Sequence, residues 1–205
     1  MIRPGKIVCV GRNYRDHAKE MGNEVPAEPL IFLKPPSSVI GTGSPIVLPR
    51  ASNRVEFEGE IGVVIGTALR RATSREALAG VGGVVAMNDV TARDLQRSDS
   101  QWARAKGFDT FCPVADPPVP DLDLDTLTIV TRVNGVERQR ATASDMVFPI
   151  QELLSFISRI MTLDPGDLVA TGTPAGVGPL VAGDVVEVTV GGVSRVTNPV
   201  IADQE

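Results

Sequence analysis

The segment Val55-Glu56-Phe57-Glu58-Gly59-Glu60-Ile61-Gly62-Val63-Val64-Ile65 is the longest strand candidate in the chain. It alternates acidic and apolar residues at first and then turns largely apolar. Successive strand side chains point to opposite faces, so Glu56, Glu58 and Glu60 share one face while Val55, Phe57 and Ile61 share the other. Three like charges on one face repel, and the strand runs straight into an apolar stretch, so a compensating charge is expected beside them. A hard cation with oxygen ligands would supply it. The same pattern also suits a solvated edge strand whose acidic residues resist aggregation. Spacing alone chooses neither between these readings nor among the three glutamates.

Outward from this segment the chain reads as short strands separated by turn residues, at 7–10, 30–33, 46–48, 81–87, 127–133, 137–140, 168–170, 185–190 and 193–200. Asn134-Gly135 is a type I′ hairpin signal, and Gly191-Gly192 is a second hairpin turn. Helices are few. Residues 13–21 read as a short polar helix stopped by Gly22, and residues 92–97 as another. Thr73 and Glu76 have capping-box spacing at the head of a helix over 73–79. Residues 149–161 form the best helix, with Pro149 near its first turn and apolar residues at Ile150, Leu153, Leu154, Ile157 and Ile160. This order predicts a β-rich α+β fold with scattered short helices and not a doubly wound α/β sheet.

The 205 residues suit a single domain spanning 1–205. Aromatic residues are scarce at 4%, against 20 Gly and 16 Pro, which favours turns over long helices. The net charge of −5 and the lack of a basic stripe argue against a nucleic-acid partner. No apolar run approaches a membrane span, and the apolar run at residues 7–10 is too short for a signal-peptide core, so a cytoplasmic location is expected. Cys9 and Cys112 lack metal-ligand spacing and read as two buried thiols. With His17 as the one histidine, a zinc site built on His and Cys is excluded by inventory.

Four further segments hold candidate chemistry. Asp89 closes an apolar strand; if a helix starts there, Asp89, Arg93 and Gln96 line one face as a carboxylate, a bidentate cation and an amide. Helix capping by Asp89 with a surface Arg is the plainer alternative. His17 and Glu20 stand at i, i+3, where a carboxylate would fix the imidazole tautomer and raise its basicity, as a general base for water requires. Lys106, beside Gly107 and Phe108, could reach a pocket and offset an enolate or carboxylate charge, or lie at the surface. The loop Thr171-Gly172-Thr173-Pro174-Ala175-Gly176-Val177-Gly178 offers N–H groups and a hydroxyl to an anion, but lacks the Gly-Lys-Ser/Thr ending of a P-loop.

Taken together and in order, Gly11-Arg12-Asn13-Tyr14 with His17 and Glu20, Phe32-Leu33-Lys34-Pro35, Glu58-Gly59-Glu60-Ile61, Asn88-Asp89-Val90-Thr91-Ala92-Arg93-Asp94, Lys106-Gly107-Phe108-Asp109 and residues 171–178 resemble the fumarylacetoacetate hydrolase family, closest to its short acylpyruvase and oxaloacetate decarboxylase branch. The resemblance covers nearly the whole chain. It implies the family's C-terminal-domain mixed β-roll or sandwich with short helices, and a homodimer. It implies Mg²⁺, or else Mn²⁺ or Ca²⁺, on Glu58, Glu60 and Asp89, with Glu56 a flanking acid. It implies a water-activating dyad of His17 and Glu20, assistance from Lys106, and a small 2-oxo acid held by Arg12, Arg93, Gln96 and Thr173.

The expected reaction is C–C cleavage of acylpyruvates (2,4-dioxo acids) to pyruvate and a carboxylic acid. Oxaloacetate decarboxylation or tautomerisation, and isomerisation or decarboxylation of 2-hydroxyhepta-2,4-diene-1,7-dioate in aromatic catabolism, are alternatives. A catalytically inactive metal-binding homologue is the non-enzyme alternative.

Overall fold

The acidic segment does not form one strand. In the computed structural model, which describes residues 3–204, it divides into the strands Val55–Phe57 and Gly59–Ile65, which lie in different sheets. The break falls at Glu58 and has a local cause. The Glu58 N–H donates to the Asn88 side chain at 2.9 Å and the Gly59 N–H to Gln139 Oε1 at 3.0 Å. Two ladder donors are thus diverted to side chains, and the chain can change partners.

Gly59–Ile65 is covered on both faces, as its apolar run requires. Its five-stranded sheet runs Leu30–Lys34, Ile7–Gly11, Leu168–Ala170, Gly59–Ile65, Val81–Asn88 in spatial order, and only the Ile7–Gly11 and Leu168–Ala170 pair is parallel. The second five-stranded sheet runs Val136–Thr142, Thr128–Val133, Val185–Val190, Ser194–Ala202, Ile46–Leu48. Its first hairpin turns at Asn134 and Gly135, both with positive φ (53° and 77°), as a type I′ turn demands. The two sheets face one another. Ile129, Val188, Val190 and Val196 of the second share a core with Val63, Val85 and Met87 of the first.

Helices occupy the margins. Ile150–Ile160 buries Ile150, Leu153, Leu154 and Ile157, one stripe at helical spacing. On the same helix, Ser155 Oγ donates to the Ala72 carbonyl at 2.7 Å and Ser158 Oγ accepts from the Ala72 N–H at 2.9 Å. That seats the loop leading into Ser74–Ala79, whose Thr73–Glu76 capping box is formed. Among the described residues, no helix is long and apolar enough to cross a membrane.

The short helix expected over 92–97 runs Arg93–Ser98, and no helix starts at Asp89. Asp89 lies between the strands Val81–Asn88 and Thr91–Ala92, and its N–H donates to the Glu58 carbonyl at 2.8 Å. The conditional reading that puts Asp89, Arg93 and Gln96 on one face of a helix starting at Asp89 therefore fails. Strand ends, not a helix, bring Asp89 to the site. Four two-residue strands that gave no sequence signal (Val39–Ile40, Thr91–Ala92, Cys112–Pro113 and Gly178–Pro179) tie the site region together.

Candidate active site

The break at Glu58 places its carboxylate beside those of Glu60 and Asp89. One ligand oxygen from each lies within 4.8 Å of the others, and the residues are 5%, 1% and 0% exposed. Glu58 comes from the strand junction, Glu60 from the paired strand, and Asp89 from just beyond the end of the neighbouring strand Val81–Asn88. Glu56 is buried too but stands apart, held by Arg54 at 2.6 Å and Arg93 at 2.7 Å.

The carboxylates alternate with cations. Lys34 Nζ lies 2.7 Å from Asp89 Oδ1; Lys106 Nζ lies 2.6 Å from Asp89 Oδ2 and 2.8 Å from Glu58 Oε2; Arg93 Nη2 lies 2.5 Å from Glu58 Oε1. Burial pushes the Glu58 carboxyl up, but Lys106 and Arg93 outweigh it and hold the group well below the usual range. Burial likewise disfavours the Lys106 ammonium, yet Asp89 and Glu58 keep its pKa above that of a free lysine. Among the described residues Glu60 has no ion pair. It accepts the Gly172 N–H at 2.8 Å, while burial and then the Asp89 and Glu58 charges push its carboxyl well above the ordinary value. One surplus buried carboxylate beside two others is a donor set that a hard divalent cation fits.

These groups floor a cleft of about 280 Å³, room for a small acid and little more. Phe32 and Trp102 meet edge to face at 5.2 Å on one wall, and Lys106 Nζ sits 5.0 Å from the Phe32 ring centroid. Arg12, His17, Arg93, Gln96 and Thr173 also line it, so of the residues expected to bind metal, bind substrate or catalyse, Glu20 alone lies off the cleft. Glu20 lies behind His17, its Oε2 3.3 Å from His17 Nδ1, and accepts the Gly176 N–H. His17 is only 7% exposed and is no solvated surface histidine. Its helix, Arg15–Glu20, is pinned at its entry by Asn13, which donates to the Thr171 and Phe148 carbonyls and accepts the Phe148 N–H.

Arg93 lines the cleft, but three of its N–H groups go to Glu56, Glu58 and Gln96. Its five donors leave two for a ligand. Arg12 adopts a left-handed backbone (φ 59°), strain of the kind found where a side chain must be aimed.

Two buried residues went unread in the sequence as parts of the site. Lys34 ends an apolar strand immediately before Pro35, and a lysine in such a run is itself a signal of a buried partner. Gln139 is the one fully buried side chain of the strand Val136–Thr142 and reaches Gly59, Thr173 and Pro174. No local pattern marks it.

Residues 6–201 match the family described as fumarylacetoacetate (FAA) hydrolase C-terminal. The chain is 44% identical over 203 residues to an Arabidopsis thaliana protein named oxaloacetate tautomerase FAHD1, mitochondrial, covering 96% of this chain and 91% of that one. It is 43% identical over 190 residues to the mitochondrial oxaloacetate decarboxylase of Dictyostelium discoideum, covering 89% and 87%. Among solved structures, a 2-hydroxyhepta-2,4-diene-1,7-dioate isomerase from Mycobacterium marinum superposes with a TM-score of 0.92 at 45% identity, over 100% of this chain and 77% of that one. A fumarylpyruvate hydrolase from Pseudomonas aeruginosa, solved with Mn²⁺ and pyruvate, superposes with a TM-score of 0.92 at 29% identity, over 98% and 91%.

Proposed function

The chain belongs to the fumarylacetoacetate hydrolase C-terminal family, and from that premise we propose that it is a divalent-cation-dependent enzyme acting on oxaloacetate, interconverting its keto and enol forms or decarboxylating it. The carrying observation is the convergence of Glu58, Glu60 and Asp89 beside the Lys106 ammonium at the floor of a small cleft. The oxaloacetate names of relatives at 43% and 44% identity support the choice of substrate.

Glu58, Glu60 and Asp89 would hold Mg²⁺, with Mn²⁺ or Ca²⁺ as alternatives, and the ion would supply Lewis acidity to the carboxylate and keto oxygens of the acid. Lys106 offsets negative charge that develops on the oxo oxygen. His17, its Nδ1 turned to Glu20, leaves Nε2 to move a proton within the cleft. Phe32 and Trp102 would offer the acid an apolar wall on one side.

Hydrolysis of acylpyruvates, the leading expectation from the sequence, becomes the second reading. The His17–Glu20 pair favours it, because water activation needs an oriented base and decarboxylation does not. His17 would deprotonate water for attack on the distal acyl carbonyl, giving pyruvate and a carboxylic acid. A homodimer and a cytoplasmic setting are part of the same proposal, and sedimentation of the purified protein checks the dimer.

The experiment is a panel of oxaloacetate, acetylpyruvate and a 2-hydroxydienedioate assayed with Mg²⁺. Turnover of oxaloacetate well above the other two supports the proposal. Preference for acetylpyruvate replaces it with the hydrolase reading, and inertness toward all three defeats both.

A further inference from the structure

The strand Val136–Thr142 lies at the edge of its sheet, yet one of its side chains reaches the metal-ligand junction. Against Thr128–Val133 its register slips: Thr131 pairs with Gln139 and Arg132 with Glu137, so Arg138 is left over as a β-bulge. Bulges re-aim side chains beside functional sites. Here Val136, Glu137 and Arg138 are exposed, while Gln139 turns inward and is 1% exposed. The loop 171–178 packs on the bulge itself, for a Cβ at Gly176 would collide with the Arg138 carbonyl oxygen. An amide buried to this degree needs partners at both ends. Gln139 Oε1 accepts the Gly59 N–H at 3.0 Å, and Nε2 donates to the Pro174 carbonyl and to Thr173 Oγ1, each at 2.8 Å. The reversed amide would set donor against donor at Gly59 and acceptor against acceptor at Pro174. Gly59 stands between Glu58 and Glu60, and its carbonyl accepts from Thr173 Oγ1 at 2.8 Å. Both backbone groups of Gly59 are thus held, one by Gln139 and the other by the threonine that Gln139 bonds. Gln139 itself does not line the cleft.

We propose that Gln139 is a positioning residue for the metal site, clamping the Glu58-Gly59-Glu60 junction to the loop at Thr173 and Pro174 and so setting the spacing of two of the three carboxylates. The inference rests on the reading that Glu58, Glu60 and Asp89 hold a divalent ion. Like charges gathered at one point push apart, so the backbone that carries them must be held from outside. With the clamp removed, ordering the two ligands becomes part of the cost of binding the ion. The residue acts through Gly59 and touches neither ion nor substrate.

Titration calorimetry of Mg²⁺ into wild type and Gln139→Met, an apolar side chain of similar length, tests this. Loss of an outer partner of a metal site weakens binding about 10- to 100-fold, and Gln139→Met should fall in that range. Ile157→Val, which removes one buried methylene from the helix Ile150–Ile160, lowers stability alone and should bind Mg²⁺ as wild type does. In oxaloacetate turnover Gln139→Met should need more Mg²⁺ for half-saturation and recover most of the wild-type kcat at saturation. Unchanged Mg²⁺ affinity in Gln139→Met overturns the inference. Equal weakening in Ile157→Val does so too, as does a rate defect that saturating Mg²⁺ leaves in place. Gln139→Asn, whose amide is one methylene too short to span Gly59 and Pro174, serves if Gln139→Met does not fold. If neither folds, hydrogen exchange in the unaltered protein decides: Mg²⁺ should slow exchange of the Gly59 N–H and the Gln139 side-chain N–H, and equal exchange with and without Mg²⁺ overturns the inference. Failure of both Mg²⁺ and Mn²⁺ to bind the unaltered protein defeats the metal reading itself, and is thereby told apart from failure of this inference alone.

Discussion

Lys34 Nζ lies 2.7 Å from Asp89 Oδ1, and neither side chain is reached by solvent. The same ammonium donates to the carbonyls of Lys106 and Val90, so it also orders the backbone that carries the second lysine. Removing one partner of a buried pair leaves an uncompensated charge. Lys34→Met should therefore lower folding stability by about 3–5 kcal/mol. Urea unfolding followed by circular dichroism measures it, and a loss near zero would show that Lys106 alone suffices for Asp89.

Gly59 is required by space. A Cβ there would stand 1.9 Å from Thr131 Oγ1, a contact that side chains do not sustain. Gly59→Ala should destabilise the fold by about 1–3 kcal/mol or more through overpacking, and shift the junction that aims Glu58 and Glu60. Adding Thr131→Ala to Gly59→Ala should recover much of the loss in thermal unfolding. A double variant no more stable than the single one would put the strain elsewhere.

Glu58 and Glu60 respond to pH in opposite senses. Glu58 has a depressed pKa, so its stabilising contribution is present above the unfolded value of 4.5 and is lost as pH falls below it. Glu60 has a raised pKa, so the folded state binds its proton more tightly and loses stability as pH climbs above 4.5. A metal ion would take that proton's place. The rise in melting temperature on adding Mg²⁺ to chelator-treated protein should accordingly be larger at pH ~8 than at pH ~5.5. An increment that is flat or shrinks with pH would remove Glu60 from the ligand set.

His17 divides the two reactions. Acylpyruvate cleavage needs an activated water, and loss of a general base costs roughly 10²–10⁴ in rate. Oxaloacetate decarboxylation needs no water. His17→Ala should suppress the first by that range and retain most of the second. Equal suppression of both in steady-state assays would give His17 a role other than water activation.

Much of this site could be read from the chain because its parts sit on strong local signals. The turns at Asn134-Gly135 and Gly191-Gly192, the Thr73–Glu76 cap and the stripe of Ile150–Ile160 are decided within a few residues of sequence. The alternation of Glu58 and Glu60 is equally local. The break at Glu58 was not legible, because it depends on Asn88 and Gln139, which are 30 and 80 residues away. The conditional helix start at Asp89 fails for a related reason. Asp89 looks like a helix cap until its N–H is seen to pair with the Glu58 carbonyl. Lys34 and Gln139 matter through distant partners, and nothing beside them in sequence names those partners.

The central claim is that Glu58, Glu60 and Asp89 hold the ion on which turnover depends. The most direct measurement is the rate of enol-oxaloacetate ketonisation by wild type and by Glu60→Gln, each with Mg²⁺ and with excess chelator. Wild type should turn over with Mg²⁺ and stop with chelator, and Glu60→Gln should be slow in both conditions while still folded by circular dichroism. A chelator-insensitive wild type, or a Glu60→Gln variant at the wild-type rate, would contradict the account.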